Sequence, residues 1–218
     1  MIHIVVDLEM NPVRQSLKEI RKYLPDEVIE IGAVKLDDNF NQTDEFQCYV
    51  RPEHSKITRH IQKLTGITDE LLEDKNLFAV EFKNFMDWIG TDEVTIYSWS
   101  NSDINQLKSE CAFKLNDFDT QWLEDHWVDL QKEFDDRIGL QNNLALSHAV
   151  GAMNKNFKGT QHTALADAIN TAEILRLMQD EEKFMKTMQP VIELINPKRL
   201  SSSIGELYPE LSKLKFDD

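Results

Sequence analysis

The chain is poor in cysteine: among its 218 residues only Cys48 and Cys111 occur, far apart and in no metal-ligand spacing. A disulfide framework and a thiolate zinc site are therefore not expected, and both thiols read as reduced and semi-buried. No stretch is long and apolar enough to cross a bilayer. The opening run Ile2-His3-Ile4-Val5-Val6 enters a strand directly, without the basic head or small-residue cleavage site of a signal peptide. A cytoplasmic protein with no membrane partner is expected. Internal repeats and low-complexity blocks are missing as well.

Positive charge is scarce, with 24 Lys and Arg against 39 Asp and Glu, a net of −15. Broad duplex binding depends on neutralising many phosphates and is disfavoured by that balance. The deficit is uneven: residues 1–63 carry 9 basic against 11 acidic side chains, the remaining 155 carry 15 against 28. Arg14, Lys18, Arg21, Lys22, Arg51, Lys56, Arg59 and Lys63 thus form a candidate phosphate-contacting rim on an acidic body. Ordinary solvated charge accounts for them equally well.

What is present fits one domain with a sizeable core. Residues 2–7 read as a buried strand, Val28–Leu36 as a second and Phe46–Val50 as a third, together an antiparallel meander. Phe78, Phe82, Phe85 and Ile89 then repeat at helical spacing. Val94–Tyr97 makes a fourth strand, followed by a helix with Ser102 as its expected N-cap, and Trp127–Leu130 a short fifth strand. Further helices are marked by Leu144 to Met153 and by Leu165, Ala168, Ala172 and Leu175. This order predicts an α/β mixed sheet flanked by helices. Residues 1–180 are expected to form the main domain, with 181–218 a helical appendage and polar tail packed on it.

Three places carry candidate chemistry. Asp7 and Glu9 alternate at the end of the first strand, so both carboxylates point to one face. Hard oxygen ligands converging in this way suit magnesium or manganese, though a strand-ending Asp and a solvated Glu give the same short pattern. Asp103 follows the fourth strand in the first turn of its helix, where an acid is also stabilised by the helix dipole alone. Asp167 lies near the start of a late helix among small neighbours. His162, about 140° from it on an ideal helix, belongs to the preceding loop, with Thr163 as N-cap. An imidazole beside a metal cluster suits general-base work, and an exposed loop histidine is the plain alternative.

Together these motifs resemble the three exonuclease motifs of the DEDDh nucleases, over roughly residues 2–180. Five further stretches resemble specifically the branch of the Eri-type exoribonucleases and the sporulation inhibitor KapD. They are Val28–Val34, Tyr49-Val50-Arg51-Pro52, Leu64-Thr65-Gly66-Ile67-Thr68, Trp99-Ser100-Asn101-Ser102-Asp103 and His162–Asn170. Two positions depart from the family pattern: Ser100 and Ala164 stand where glycine is common, and neither removes a catalytic atom.

The resemblance implies an RNase H-like mixed five-stranded sheet, with strands one to three antiparallel and two parallel strands after them. It also implies hydrolysis from the 3′ end of single-stranded RNA or DNA, with RNA favoured, releasing nucleoside 5′-monophosphates. Asp7, Glu9, Asp103 and Asp167 would hold two magnesium ions, which manganese replaces, with His162 as general base. Met10 and Leu64 would contact the terminal base. Two alternatives stand beside this: a regulatory binding protein that keeps the fold, and an enzyme directed to DNA or to short oligonucleotides. Protein partners are not specified by the pattern.

Overall fold

The β-branched run from Ile2 starts a central strand that the computed structural model, describing residues 1–90, 93–115, 118–141 and 143–195, carries on to Pro12. This strand, β1 (Ile2–Pro12), is longer than the stretch 2–7 that the sequence predicts. The short helix α1 (Lys18–Arg21) leads to β2 (Asp26–Leu36) and β3 (Gln42–Tyr49). Three helices follow, α2 (Arg59–Thr65), α3 (Asp69–Leu72) and α4 (Phe78–Ile89), before β4 (Val94–Ser98) and α5 (Ser102–Lys114). The chain continues through α6 (Gln121–His126), β5 (Trp127–Asp129), α7 (Leu130–Ile138) and α8 (Leu146–Ala152). It ends, within the described residues, in α9 (Ala164–Met178) and α10 (Glu181–Ile195).

The sheet order is β3-β2-β1-β4-β5. The β1–β2 and β2–β3 pairs are antiparallel, and the β1–β4 and β4–β5 pairs parallel, which is the mixed sheet the sequence predicts. Alternation along β1 divides the interior in two. Ile4, Val6 and Leu8 face a core built with Phe78, Phe82 and Phe85 of α4 and Ile104 and Leu107 of α5. Val5 faces the other, with Val34, Leu36 and side chains of α7, α8, α9 and α10. A strand covered on both faces reads as a continuous apolar run, which explains why residues 2–6 show no polar alternation.

Phe184 and Met188 of α10 are fully buried in the second core, Phe184 edge-on to Phe134 with ring centroids 5.6 Å apart. The polar tail expected after it, including Pro197 and Ser201 to Ser203, lies outside the described residues. No helix among the described residues is long and apolar enough to cross a membrane.

One geometric feature prepares the site. The β1–β4 ladder is paired from Ile2↔Val94 to Val5↔Tyr97, whereas β1 stays paired with β2 as far as Pro12. What ends near Asp7 is therefore the parallel ladder, not the strand itself. Just past its end, Asp103 Oδ1 accepts a hydrogen bond from the Leu8 backbone N–H at 3.1 Å.

Candidate active site

Asp7 and Glu9 share the face of β1 that carries Val5, because side chains alternate along a strand. Across the antiparallel ladder Asp7 is opposite Gly32 and Glu9 opposite Glu30. Gly32 has no side chain to fill the space above Asp7, and the first turn of α9 occupies it. A Cβ on Gly32 would lie 2.1 Å from the Leu165 nitrogen and 2.2 Å from the Ala164 carbonyl carbon. That approach brings the residues around the start of α9 over the two acids of β1.

The consequence is a cluster drawn from distant parts of the chain. One ligand atom each from Glu9, His162 and Asp167 lies within 4.8 Å of the others. Asp103, 4% exposed, arrives from the first turn of α5. Crowding shows in the proton affinities. Burial, then the Asp103, Asp167, Glu9 and Glu30 charges, push Asp7 well above the usual carboxylate range. Burial and the Asp167, Glu30 and Asp103 charges raise Glu9 to about 8. Burial lifts Asp103 to about 7 against the Leu8 N–H, and Asp167 to about 6 against the backbone N–H of His162. Like-charged carboxylates held this close cannot all ionise unless something positive joins them.

The donor set fits a hard divalent cation: carboxylate oxygens with one imidazole beside them. Asp167 Oδ1 adds an independent sign, because it is buried and lacks a hydrogen-bond partner. A buried acceptor without a partner is costly unless a ligand or ion satisfies it.

His162 is exposed and adopts φ 64°, a left-handed conformation uncommon for a residue with a side chain. The loop before it is tethered. Asn170 of α9 accepts from the Lys158 N–H at 3.0 Å and donates to the Lys158 carbonyl at 2.9 Å. Thr163 stands at the N-cap position as expected, yet its hydroxyl donates to the Thr160 carbonyl at 3.0 Å and caps nothing in the helix. The other expected cap moves by one residue: Asn101 precedes α5, and Ser102 is its first helical residue, its Oγ 2.6 Å from Ser100 Oγ.

Met10 is half-buried and packs against the first core, while Leu64 is 38% exposed on α2. Buried Asn11 ties that region to β1: its Oδ1 accepts from the Thr58 N–H at 3.0 Å and its Nδ2 donates to the Lys56 carbonyl at 3.3 Å. Two of the basic residues are held in the same place, with the Arg14 N–H donating to Ser55 Oγ at 2.6 Å.

A family model described as exonuclease (RNase_T) matches residues 4–175. The chain belongs to the exonuclease family. It is 27% identical over 175 residues to the probable 3′-5′ exonuclease KapD of Bacillus subtilis, covering 78% of this chain and 83% of that one. It is 26% identical over 167 residues to 3′-5′ exoribonuclease 1 of Rattus norvegicus, covering 71% of this chain and 47% of the relative. The match thus spans about half the length of that mammalian protein. Among solved structures, the nuclease domain of 3′hExo, described as a DEDDh family member bound to rAMP, superposes with a TM-score of 0.68. Its identity is 23%, and 82% of this chain and 92% of that one are covered. At that identity the likeness carries the fold, and the fold is RNase H-like.

Two residues of this exonuclease to which the sequence pattern alone assigns no role are Glu30 and Gly32. Both sit inside the apolar run Val28–Val34 and read there as strand. Only the antiparallel register shows that they face the acids of β1.

Proposed function

We propose that this exonuclease hydrolyses single-stranded nucleic acid from the 3′ end in the presence of divalent cations, releasing nucleoside 5′-monophosphates, with RNA the favoured substrate. The observation that carries the reading is the meeting of Glu9, His162 and Asp167 donor atoms within 4.8 Å, with an unpartnered Asp167 oxygen. Asp7 feels the charges of Asp103, Asp167 and Glu9, and Glu9 that of Asp103, so Asp7 and Asp103 complete a set able to hold two magnesium or manganese ions. When bound, such ions lower the pKa of a water and offset charge on the leaving 3′ oxygen. The four acids hold the cations and orient the terminal phosphate. His162, exposed beside them, takes the proton from the attacking water. Met10 and Leu64 give the last base apolar contacts, which accept any base because stacking is sequence-tolerant. The basic residues from Arg14 to Lys22 and from Arg51 to Lys63 hold upstream phosphates. The RNA preference rests on the exoribonuclease relatives.

The test is degradation of matched 5′-labelled RNA and DNA strands with magnesium or manganese, alongside chelator and Asp7→Ala. A ladder shortening from the 3′ end, faster on RNA and absent with chelator or Asp7→Ala, is expected. Cleavage that survives Asp7→Ala, or no cleavage of either strand, defeats the proposal.

A further inference from the structure

Glu30 is fully buried on the same sheet face as Asp7 and Glu9, yet its carboxylate is turned to a different task. Its Oε1 accepts from Gln47 Nε2 of β3 at 2.7 Å, and its Oε2 accepts from the Ala164 N–H at 3.3 Å. Ala164 opens α9 and is itself fully buried. The first N–H groups of a helix have no partner inside it and are usually met by an N-cap side chain. Thr163 supplies none, because its hydroxyl is spent on Thr160. A carboxylate from the neighbouring strand fills that role, in the place where the helix dipole favours negative charge.

The contrast with Asp167 separates anchor from ligand. Asp167 keeps an oxygen without a partner, whereas both oxygens of Glu30 are engaged by donors of the protein. From the anchored Ala164 N–H, His162 is two residues back in its left-handed conformation and Asp167 three residues on. Gly32 admits the same turn by its missing side chain. Helix start, general base and ligand therefore share one point of attachment.

We propose that Glu30 is a positioning residue of the exonuclease: a strand-borne clamp that seats the first turn of α9, and through it His162 and Asp167, against Asp7 and Glu9. This rests on the exonuclease reading above. Displacing a catalytic group by about 1 Å costs on the order of a hundredfold in rate.

Glu30→Ala is accordingly expected to lower kcat about a hundredfold with KM nearly unchanged, and to weaken Mn2+ binding measured by calorimetry. Glu30→Gln restores most of both, since a glutamine can accept from Ala164 while Gln47 turns its amide round to accept from it. In the wild-type protein the Ala164 amide exchanges with solvent far more slowly than a free first-turn amide, which nuclear magnetic resonance reads without any variant and without turnover. Full turnover and Mn2+ affinity in Glu30→Ala overturn the proposal. So does a Glu30→Gln variant as deficient as Glu30→Ala, or an unprotected Ala164 amide. A wild-type protein that degrades no strand defeats the nuclease reading instead, and the amide and Mn2+ measurements then still decide the anchor.

Discussion

Replacing Glu9 with glutamine removes one negative charge from the crowded face of β1 and keeps the size of the side chain. In the metal-free protein, burial and the charges of Asp167, Glu30 and Asp103 raise the Glu9 carboxyl from 4.5 to about 8. A folded value raised above the unfolded one adds stability that is complete below about 4.5 and is lost as the pH climbs to about 8. Each pH unit in that window removes about 1.4 kcal/mol, so the step from about pH 5 to about pH 7.5 removes roughly 3 kcal/mol through Glu9 alone. For a chain of this size the loss corresponds to roughly 6–12 °C in Tm. Coulomb's law gives the same scale. At 4.8 Å, the outer limit between the Glu9 and Asp167 donor atoms, two unit charges repel by ~3.5 kcal/mol at an effective dielectric constant of about 20. The assay is a melting series in chelator across that pH range, wild type beside Glu9→Gln, repeated with manganese. The wild type is expected to lose Tm with rising pH much more steeply than Glu9→Gln. Manganese at about a hundred times its Kd then returns about 2.7 kcal/mol to the wild type near neutral pH, and less to the variant. Parallel pH profiles for the two proteins, or equal manganese shifts, refute the reasoning.

His162→Ala is expected to lower kcat by about 10²- to 10⁴-fold while the protein still melts at a higher temperature with manganese; single-turnover degradation and a melting scan check both halves. Gly32→Ala forces a methyl group into the backbone of Ala164 and Leu165, and is expected to cost at least about 1–3 kcal/mol together with most of the activity. Urea denaturation measures the first and strand degradation the second, and a stable, active variant contradicts the close approach. Phe184→Ala empties a fully buried position in the second core, among side chains that include Phe134; denaturant unfolding is expected to show a loss of about 3–5 kcal/mol, with Mn2+ affinity unchanged in the folded protein.

The sheet was legible because β1 and β2 carry β-branched apolar runs, and a strand covered on both faces leaves such runs nearly free of polar residues, whereas β3, largely exposed along its first half, is announced only from Phe46 onward. Asp7 and Glu9 were legible for the opposite reason, since two acids spaced by two interrupt an apolar strand on one face only. The length of β1 was not, because Asp7, Glu9 and Asn11 break the apolar pattern while the backbone stays paired with β2. Asn101 in place of Ser102 as the residue before α5 is a shift of one position, and the Ser100 and Ser102 hydroxyls bond each other there. The helix α6 is six residues long with one buried anchor, Leu123, and in α7 the helical spacing of Leu130, Phe134 and Ile138 follows directly on β5, so that Leu130 reads as the end of the fifth strand.

Glu30 and Gly32 were hidden by a deeper cause. Their significance lies in pairing across strands, and pairing depends on register. A bulge between Glu9 and Met10 shifts the ladder there, so that Glu9 is opposite Glu30 while Met10 is opposite Val28. A register one residue different would turn Glu30 and Gly32 to the other face. Gly32 would then no longer admit α9, and Glu30 would face the apolar core of α4 and α5. The bulge, the glycine and the buried glutamate thus form one device. The bulge lies at the acids, just past the last pair of the register that places Gly32 opposite Asp7. The glycine lets the helix approach, and the glutamate holds the helix where it arrives. Acids that repel one another in the metal-free protein do not gather of their own accord. The apolar cores on both faces of β1 and the clamp on α9 supply the force that keeps them together, which is why the same cluster is both a strain on the fold and a ready site for divalent cations.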